Sequence, residues 1–320
     1  SLNEIRRLTA DDRLFCNSPF FWIGGFAFGL LATLVAGATL ICSNATDPSD
    51  TLDLLEAEKP TVTNGFVSGI AHLARHPSFG SRALSSMRRG NLYPIMAPGS
   101  RPVDPELRHN MLGMTEAGSV VLLSGDESDQ PEARRGSYGF LAPGFEARVV
   151  DTDTGADVAT AELGELLLRG PYLMQGYHGR SREESFGADG WFHTGDLVRR
   201  DEDGVFYFVG RAGSMIKTAG ANVAPAEVEK VLIASLSAID ASVAVHVIGL
   251  PDAQRGQIVA AVVASDAGTA FDQADIRSML RSQLSAFKIP RQVLTVRHAE
   301  VPTLSSGKVD VPALRRLFDD

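Results

Sequence analysis

The sequence is poor in lysine. Of its 30 basic residues only Lys59, Lys217, Lys230, Lys288 and Lys308 are lysines; the remainder are arginines scattered through a chain of net charge −9. No positive stripe is present, which argues against nucleic acid as a partner and leaves any bound nucleotide to be held by local groups. Cysteine is scarcer still. Cys16 and Cys42 both lie in apolar surroundings, which fits reduced, buried thiols in a cytoplasmic protein, not a disulfide framework or a zinc site. The first residue is Ser, no signal-peptide pattern follows it, and neither internal repeats nor low-complexity segments occur.

Charge is also missing locally. From Leu14 to Thr46 there is no charged residue, and Phe20 to Cys42 is almost wholly apolar. Length alone would make this a membrane-span candidate. Pro19 and the glycines at 24, 25, 29 and 37 break the run, and no Lys/Arg cluster lies beside it to orient a span. The pattern instead predicts a buried turn–helix–strand unit: a core helix over Phe26–Ala36, Gly37 at its end, and a strand over Ala38–Ser43.

The 320 residues suffice for two cores. Thr51–Glu56 reads as an amphipathic helix and Thr61–Thr63 as a strand, giving a β-α-β layer pattern. Residues 77–110 are rich in Arg, Pro and Gly. From 136 the texture changes to short strands, Phe145–Val150, Glu165–Arg169 and Val205–Val209, separated by turns such as Asp153-Thr154-Gly155, which predicts a small β-barrel or sandwich. Beyond 214 a third pattern begins. It has a helix over Pro225–Ser237 with Pro in its first turn, strands at Ser242–Ile248, Gln257–Ser265 and Val293–Arg297, and an Asp272-capped helix whose Ile276, Met279, Leu280 and Leu284 share a face. The expected fold class is therefore α/β and α+β in two domains, 1–213 and 214–320.

Several short motifs could carry chemistry. In Leu112-Gly113-Met114-Thr115-Glu116 a glycine allows close backbone approach, and a hydroxyl beside a carboxylate could serve a phosphate and its magnesium. A helix N-terminus capped by Thr115 is the plain alternative. In Trp191-Phe192-His193-Thr194-Gly195-Asp196 the carboxylate follows a glycine turn and could accept from vicinal ribose hydroxyls, or merely shape a turn; His193 reads as structural. Gly210-Arg211-Ala212-Gly213-Ser214 through Lys217 and Gly220 suits a hinge and hairpin, or a plain linker. Met174-Gln175-Gly176-Tyr177 is assigned no chemistry. Ser305-Ser306-Gly307-Lys308 would present a lysine at a loop tip. It is not a Walker A loop, because Pro302 stands where the first glycine is needed and Val309 replaces the magnesium-binding hydroxyl.

The order and spacing of these motifs resemble the adenylate-forming superfamily of acyl-CoA synthetases, luciferases and nonribosomal adenylation domains. The carriers of the resemblance are Pro19–Gly25, Leu112–Glu116, Gly164–Gly170, Thr194-Gly195-Asp196, Gly210–Glu229, Phe287-Lys288-Ile289-Pro290 and the Lys308 loop, which together cover nearly the whole chain. Among the branches it looks most like the fatty-acid and related CoA ligases. The resemblance implies that ATP activates a carboxylate as acyl-AMP, that the small C-terminal domain then rotates, and that coenzyme A takes the acyl group. By similarity Thr115 contacts phosphate, Glu116 holds Mg2+, Asp196 and Arg211 hold the ribose, Lys308 stabilises the adenylation transition state, and Lys217 and Gly220 lie on the hairpin that serves thioester formation, with Gly113 at the nucleotide.

The chain also departs from the pattern. No Gly-, Ser/Thr-rich phosphate loop precedes Pro19; Leu112 stands where the family has Tyr, Ser214 where it has the hinge Asp, and Trp22 where it often has His. The expectation is therefore an incomplete ligase chain, inactive by itself, whose parent acts on a fatty or otherwise lipophilic acid with at most peripheral membrane association. The alternative is a non-catalytic acyl- or nucleotide-binding protein derived from the same fold.

Overall fold

The structure, a computed structural model, describes residues 1–67, 69–267, 271–304 and 307–319. The chain divides into two compact units: residues 1–194 with 198–208, and residues 195–197 with 209–320.

The first unit starts with a parallel sheet of β1 (Arg13–Cys16), β2 (Thr39–Ile41), β3 (Val62–Asn64) and β4 (Arg89–Gly90), in the order β2-β1-β3-β4. The expected strands at 38–43 and 61–63 are present. The helix read at 51–56 extends over Pro48–Glu58, because Asp47 accepts a hydrogen bond from Ser49 N and Pro48 presets the first turn. It lays Leu52 and Leu55 against Phe15 and Ile41 of the sheet.

The charge-free stretch differs from its expectation. It is α-helical over Ile23–Gly25, π-helical over Phe26–Leu31 and α-helical again over Ala32–Ala36, where Gly37 closes it at φ 70°. It is not a core helix. Phe28, Gly29 and Thr33 are buried, but Leu34 and Val35 are 67% and 82% exposed. Apolar residues run all round the helix while only one side meets neighbouring chain. The wide turn is held by side chains: Arg6 Nη1 donates to Phe28 O at 2.9 Å and Asn3 Nδ2 to Ala32 O at 2.9 Å. Among the described residues no helix is long and apolar enough to cross a membrane. Of the two cysteines, Cys16 is buried as expected and Cys42 is exposed.

Two small sheets follow. One is antiparallel, with β5 (Leu112–Met114), β6 (Ser119–Leu123) and β7 (Phe140–Leu141) in sequence order. The other holds β8 (Glu146–Val150), β9 (Gly164–Arg169), β10 (Phe192–Arg200) and β11 (Phe206–Arg211) in the order β11-β10-β9-β8. They share one core, in which Val121 and Leu122 meet Leu166, Leu168, Phe192, Val198 and Phe206.

The second unit is built on β12 (Ile216–Thr218), β13 (Ala221–Val223), β14 (Ala244–Asp252), β15 (Gly256–Ala264) and β16 (Gln292–Val296). The central strand β15 runs antiparallel to β12 and β14 and parallel to β16. Helices Pro225–Leu236 and Gln273–Leu280 cover one face through Val228, Leu232, Leu236, Ile276 and Leu280. The helix Val311–Arg316 contributes Leu314 to the opposite face, against Ile248, Ala260 and Val262. Asp272 caps its helix as its position predicted, accepting from Ala274 N and Asp275 N.

Candidate functional site

In the first unit the strand order reverses between β1 and β3: β2 lies on one side of β1 and β3 on the other. In open parallel sheets this reversal leaves a crevice outside the carboxyl ends of the strands, where ligands bind. Asn17 and Gly65 continue the two strands at that crevice. Trp22 and Phe66 meet there edge to face, with ring centroids 4.9 Å apart.

Leu112–Met114 forms β5, and Thr115–Ala117 the single turn that follows. Gly113 has a structural cause of its own, since a Cβ there would come within 2.9 Å of Ser119 O on the paired strand. The residue at the N-cap of this turn is Met114 and Thr115 is the first residue inside it, so the plain alternative of a Thr115-capped helix is not what this segment forms. Glu116 is held from a segment that had been assigned no chemistry: Tyr177 Oη donates to Glu116 Oε1 at 2.7 Å, and Met174 N donates to Glu116 O at 2.7 Å. The exposed Thr115 hydroxyl and the half-buried Glu116 carboxylate form a sparse oxygen donor set. Among the described residues no group of three or more His, Cys, Asp or Glu could hold a metal by itself. A single carboxylate fits Mg2+, which keeps several waters and takes substrate phosphates as ligands; it would not fit a metal needing a full protein cage.

In the second unit Gly195 turns the backbone within β10 at φ 70°, and Asp196 follows. The Asp196 carboxylate is buried, and Arg211 Nε meets Oδ1 at 2.7 Å while the arginine side chain remains 61% exposed. Ser214 Oγ donates to Arg211 O at 3.0 Å and closes the turn Ala212–Ser214. Lys217 is exposed on β12, and its backbone N donates to Gln257 Oε1 at 2.8 Å. Ala219 and Gly220 form the two-residue tip of the β12–β13 hairpin, at φ 49° and 82°, between the paired Thr218 and Ala221. Two positive φ values at such a tip mark a type I′ turn, whose twist matches the flanking strands. Lys308 is exposed on a small loop closed by the Thr303–Val309 bridge, by Gly307 N donating to Leu304 O at 2.8 Å and by Leu304 N donating to Lys308 O at 2.8 Å. Ser305 and Ser306 lie outside the described residues. His193, read as structural, pairs with Glu165 at 3.2 Å.

The structure thus brings Glu116, the neighbour of Thr115 in the chain, to Tyr177 in the first unit, Asp196 to Arg211 in the second, and Lys217 and Gly220 onto one hairpin. Sequence reasoning missed Tyr177, whose distance in sequence from Glu116 hides the pairing, and the asparagines Asn17 and Asn91, whose only signal was their place just after short strands.

Residues 1–178 match the AMP-binding enzyme family and residues 227–308 the AMP-binding enzyme C-terminal domain. The chain is 34% identical to a feruloyl-CoA synthase of an Amycolatopsis species, over 97% of itself and 62% of that protein. It is 30% identical to the mitochondrial medium-chain acyl-CoA ligase of Mus musculus, over 97% of itself and 51% of that protein. Among solved structures, ATP-bound MatB from Rhodopseudomonas palustris matches all of this chain and 62% of its own, with a TM-score of 0.81 and 29% identity. The chain therefore spans between about half and three-fifths of the length of such relatives.

Proposed function

Because this chain belongs to the AMP-binding enzyme family, whose model matches residues 1–178, we propose that it serves an ATP-dependent carboxylate–CoA ligase acting on a hydrophobic carboxylic acid. In the first half-reaction a carboxylate oxygen attacks the α-phosphorus of ATP and pyrophosphate leaves. In the second the CoA thiol attacks the acyl carbon, its proton is lost, and AMP leaves.

The observation that supports this most directly is the Thr115–Glu116 turn, where a hydroxyl and a carboxylate held by Tyr177 stand at the end of a short strand. In this reading Thr115 binds phosphate and Glu116 holds Mg2+, which would neutralise phosphate charge when bound. Asp196 and Arg211 hold the ribose, Arg211 yielding a carboxylate oxygen to the sugar hydroxyls. Gly113 lies beside the nucleotide. Lys308 places its ammonium against the oxygens that gain charge as the acid attacks, and the Lys217–Gly220 hairpin serves thiol transfer. The two domains of this reading are 1–213 and 214–320. Relatives acting on ferulate and on medium-chain acids support a lipophilic acid without choosing its class.

The test is a two-part assay of the ligase chain that contains this sequence: pyrophosphate release with acid and ATP, then thioester formation from supplied acyl-AMP and CoA. Lys308→Ala is expected to slow the first by about 10²–10³-fold, the worth of one well-placed transition-state donor, and to leave the second near wild type. Unchanged pyrophosphate release would remove Lys308 from the proposal. A wild-type chain that binds the acid or nucleotide and turns over neither would favour the non-catalytic alternative.

A further inference from the structure

At the carboxyl ends of β1 and β3 two asparagine side chains grip one bend of the backbone. Asn17 Oδ1 accepts from Phe66 N at 2.8 Å, and Asn17 Nδ2 donates to Phe66 O at 2.8 Å. Asn91 treats the preceding residue the same way: its Oδ1 accepts from Gly65 N at 3.0 Å and its Nδ2 donates to Gly65 O at 2.7 Å. The bend admits only glycine at its first position, where φ is 147° and a Cβ would stand 1.7 Å from Asn17 Oδ1.

The bend carries Phe66, which is 45% exposed. Its ring meets Trp22 at an interplanar angle of 86°, and Phe21 also meets Trp22 edge to face, at 6.0 Å between centroids. Aromatic rings in a core are placed by packing, which also covers them. Here polar bonds fix the backbone of an aromatic residue that stays accessible, at a crevice where the sheet topology puts ligands.

The geometry points to Asn17 and Asn91 as positioning residues that set Phe66 against Trp22, and to this ring pair as the seat of the flat ring of an aromatic carboxylic acid, preferred over a straight alkyl chain. An edge-to-face pair offers a third ring a face and an edge at fixed places. A flexible alkyl chain finds only area there and loses rotamer freedom on binding. The inference deepens the ligase reading by naming a substrate class.

The test uses the chain with Trp191→Phe, which leaves Trp22 as its single tryptophan, because the sequence contains two. The probes are 3-phenylpropanoate and nonanoate, of equal carbon number, and the readout is Trp22 emission. The aromatic acid is expected to half-saturate the change at about tenfold lower concentration, as one added ring–ring contact allows. Phe66→Ala, with its sheet signal intact, is expected to erase the preference. Asn17→Ala and Asn91→Ala are expected to red-shift Trp22 emission and weaken the preference. Asn91→Asp, which keeps the acceptor and loses the donor, should fall between.

Equal or tighter nonanoate binding, or no response to either acid, overturns the substrate class. Clamp variants that keep both the emission and the preference overturn the positioning role. An ATP- and CoA-dependent thioester assay with the same two acids on the full ligase chain separates the two readings. Absence of thioester alongside an intact ring preference rejects the ligase and leaves the aromatic site standing.

Discussion

At the scale of single residues, Asp12 shows how a buried charge is made to stabilise. Its Oδ1 accepts from Thr61 Oγ1 at 2.9 Å and Arg88 Nη2 at 2.9 Å. Its Oδ2 accepts from Thr9 N at 3.0 Å and Arg89 Nη2 at 3.2 Å. Burial pushes its pKa up, but the bonds from Thr9 and Thr61 and the two guanidiniums outweigh that and hold it below the ordinary carboxylate value. A depressed folded pKa contributes stability above the unfolded value, and that contribution is lost as pH falls through the folded one. Asp12→Asn is therefore expected to cost about 3 kcal/mol at neutral pH, the scale of breaking a buried ion pair. Urea midpoints should show the deficit shrinking once the pH drops below the ordinary carboxylate range; a deficit independent of pH would mean the loss is one of shape. None of this was legible beforehand, because Asp12 and its arginine partners are far apart in sequence. Lys308, Glu116 and Asp196 stood out as candidates, because each stands in a short motif whose glycine and hydroxyl neighbours mark it.

At the scale of elements, the β12–β13 hairpin and the helix Pro225–Leu236 are the informative pair. The hairpin is braced by the turn before β15 and by β15 itself: Ala219 N donates to Arg255 O at 2.9 Å, and Lys217 N to the Gln257 side chain at 2.8 Å. In Gln257→Ala the Lys217 amide should exchange about tenfold faster with solvent, the loss expected of one hydrogen bond, while the Ala219 amide keeps its protection. Loss of both would mean that Gln257 supports the hairpin as a whole. On the helix, Glu229 accepts from Val247 N at 2.8 Å. Burial raises its pKa, and that bond only partly opposes the rise. A carboxyl with a raised folded pKa binds its proton more tightly when folded, so stability falls as pH rises from the unfolded to the folded value. Glu229→Gln, which keeps the acceptor and removes the charge, should raise the thermal midpoint at pH 7 and change it little at pH 4. An equal effect at both would show that the charge is not the cause. Helix and strand boundaries in this region were readable to within a few residues, since Pro225 and Asp272 mark helix starts and the apolar runs are bounded by turns. The helix at residues 23–36 was misread because an all-apolar pattern does not say which side has a neighbour.

At the scale of the whole molecule, residues 209–320 draw both of their cores from within themselves, one on each face of the β15-centred sheet. Expressed alone, this segment is expected to unfold cooperatively, with a calorimetric enthalpy of about 75 kcal/mol near 60 °C for its length. A broad transition without a heat peak would mean that its order depends on the rest of the chain.

The sequence by itself determined the class of fold and the run of motifs, and it singled out the candidate residues within them. Those properties are local: a glycine turn, a capping aspartate or a lysine on a loop is written in adjacent residues. Only the tertiary structure decided which side of the apolar helix stays exposed, that Tyr177 holds Glu116, and that Asn17 and Asn91 close on one bend to place Phe66 against Trp22. Each of those depends on segments distant in sequence meeting at a strand end, and an asparagine in a loop carries no mark of the backbone it will grip.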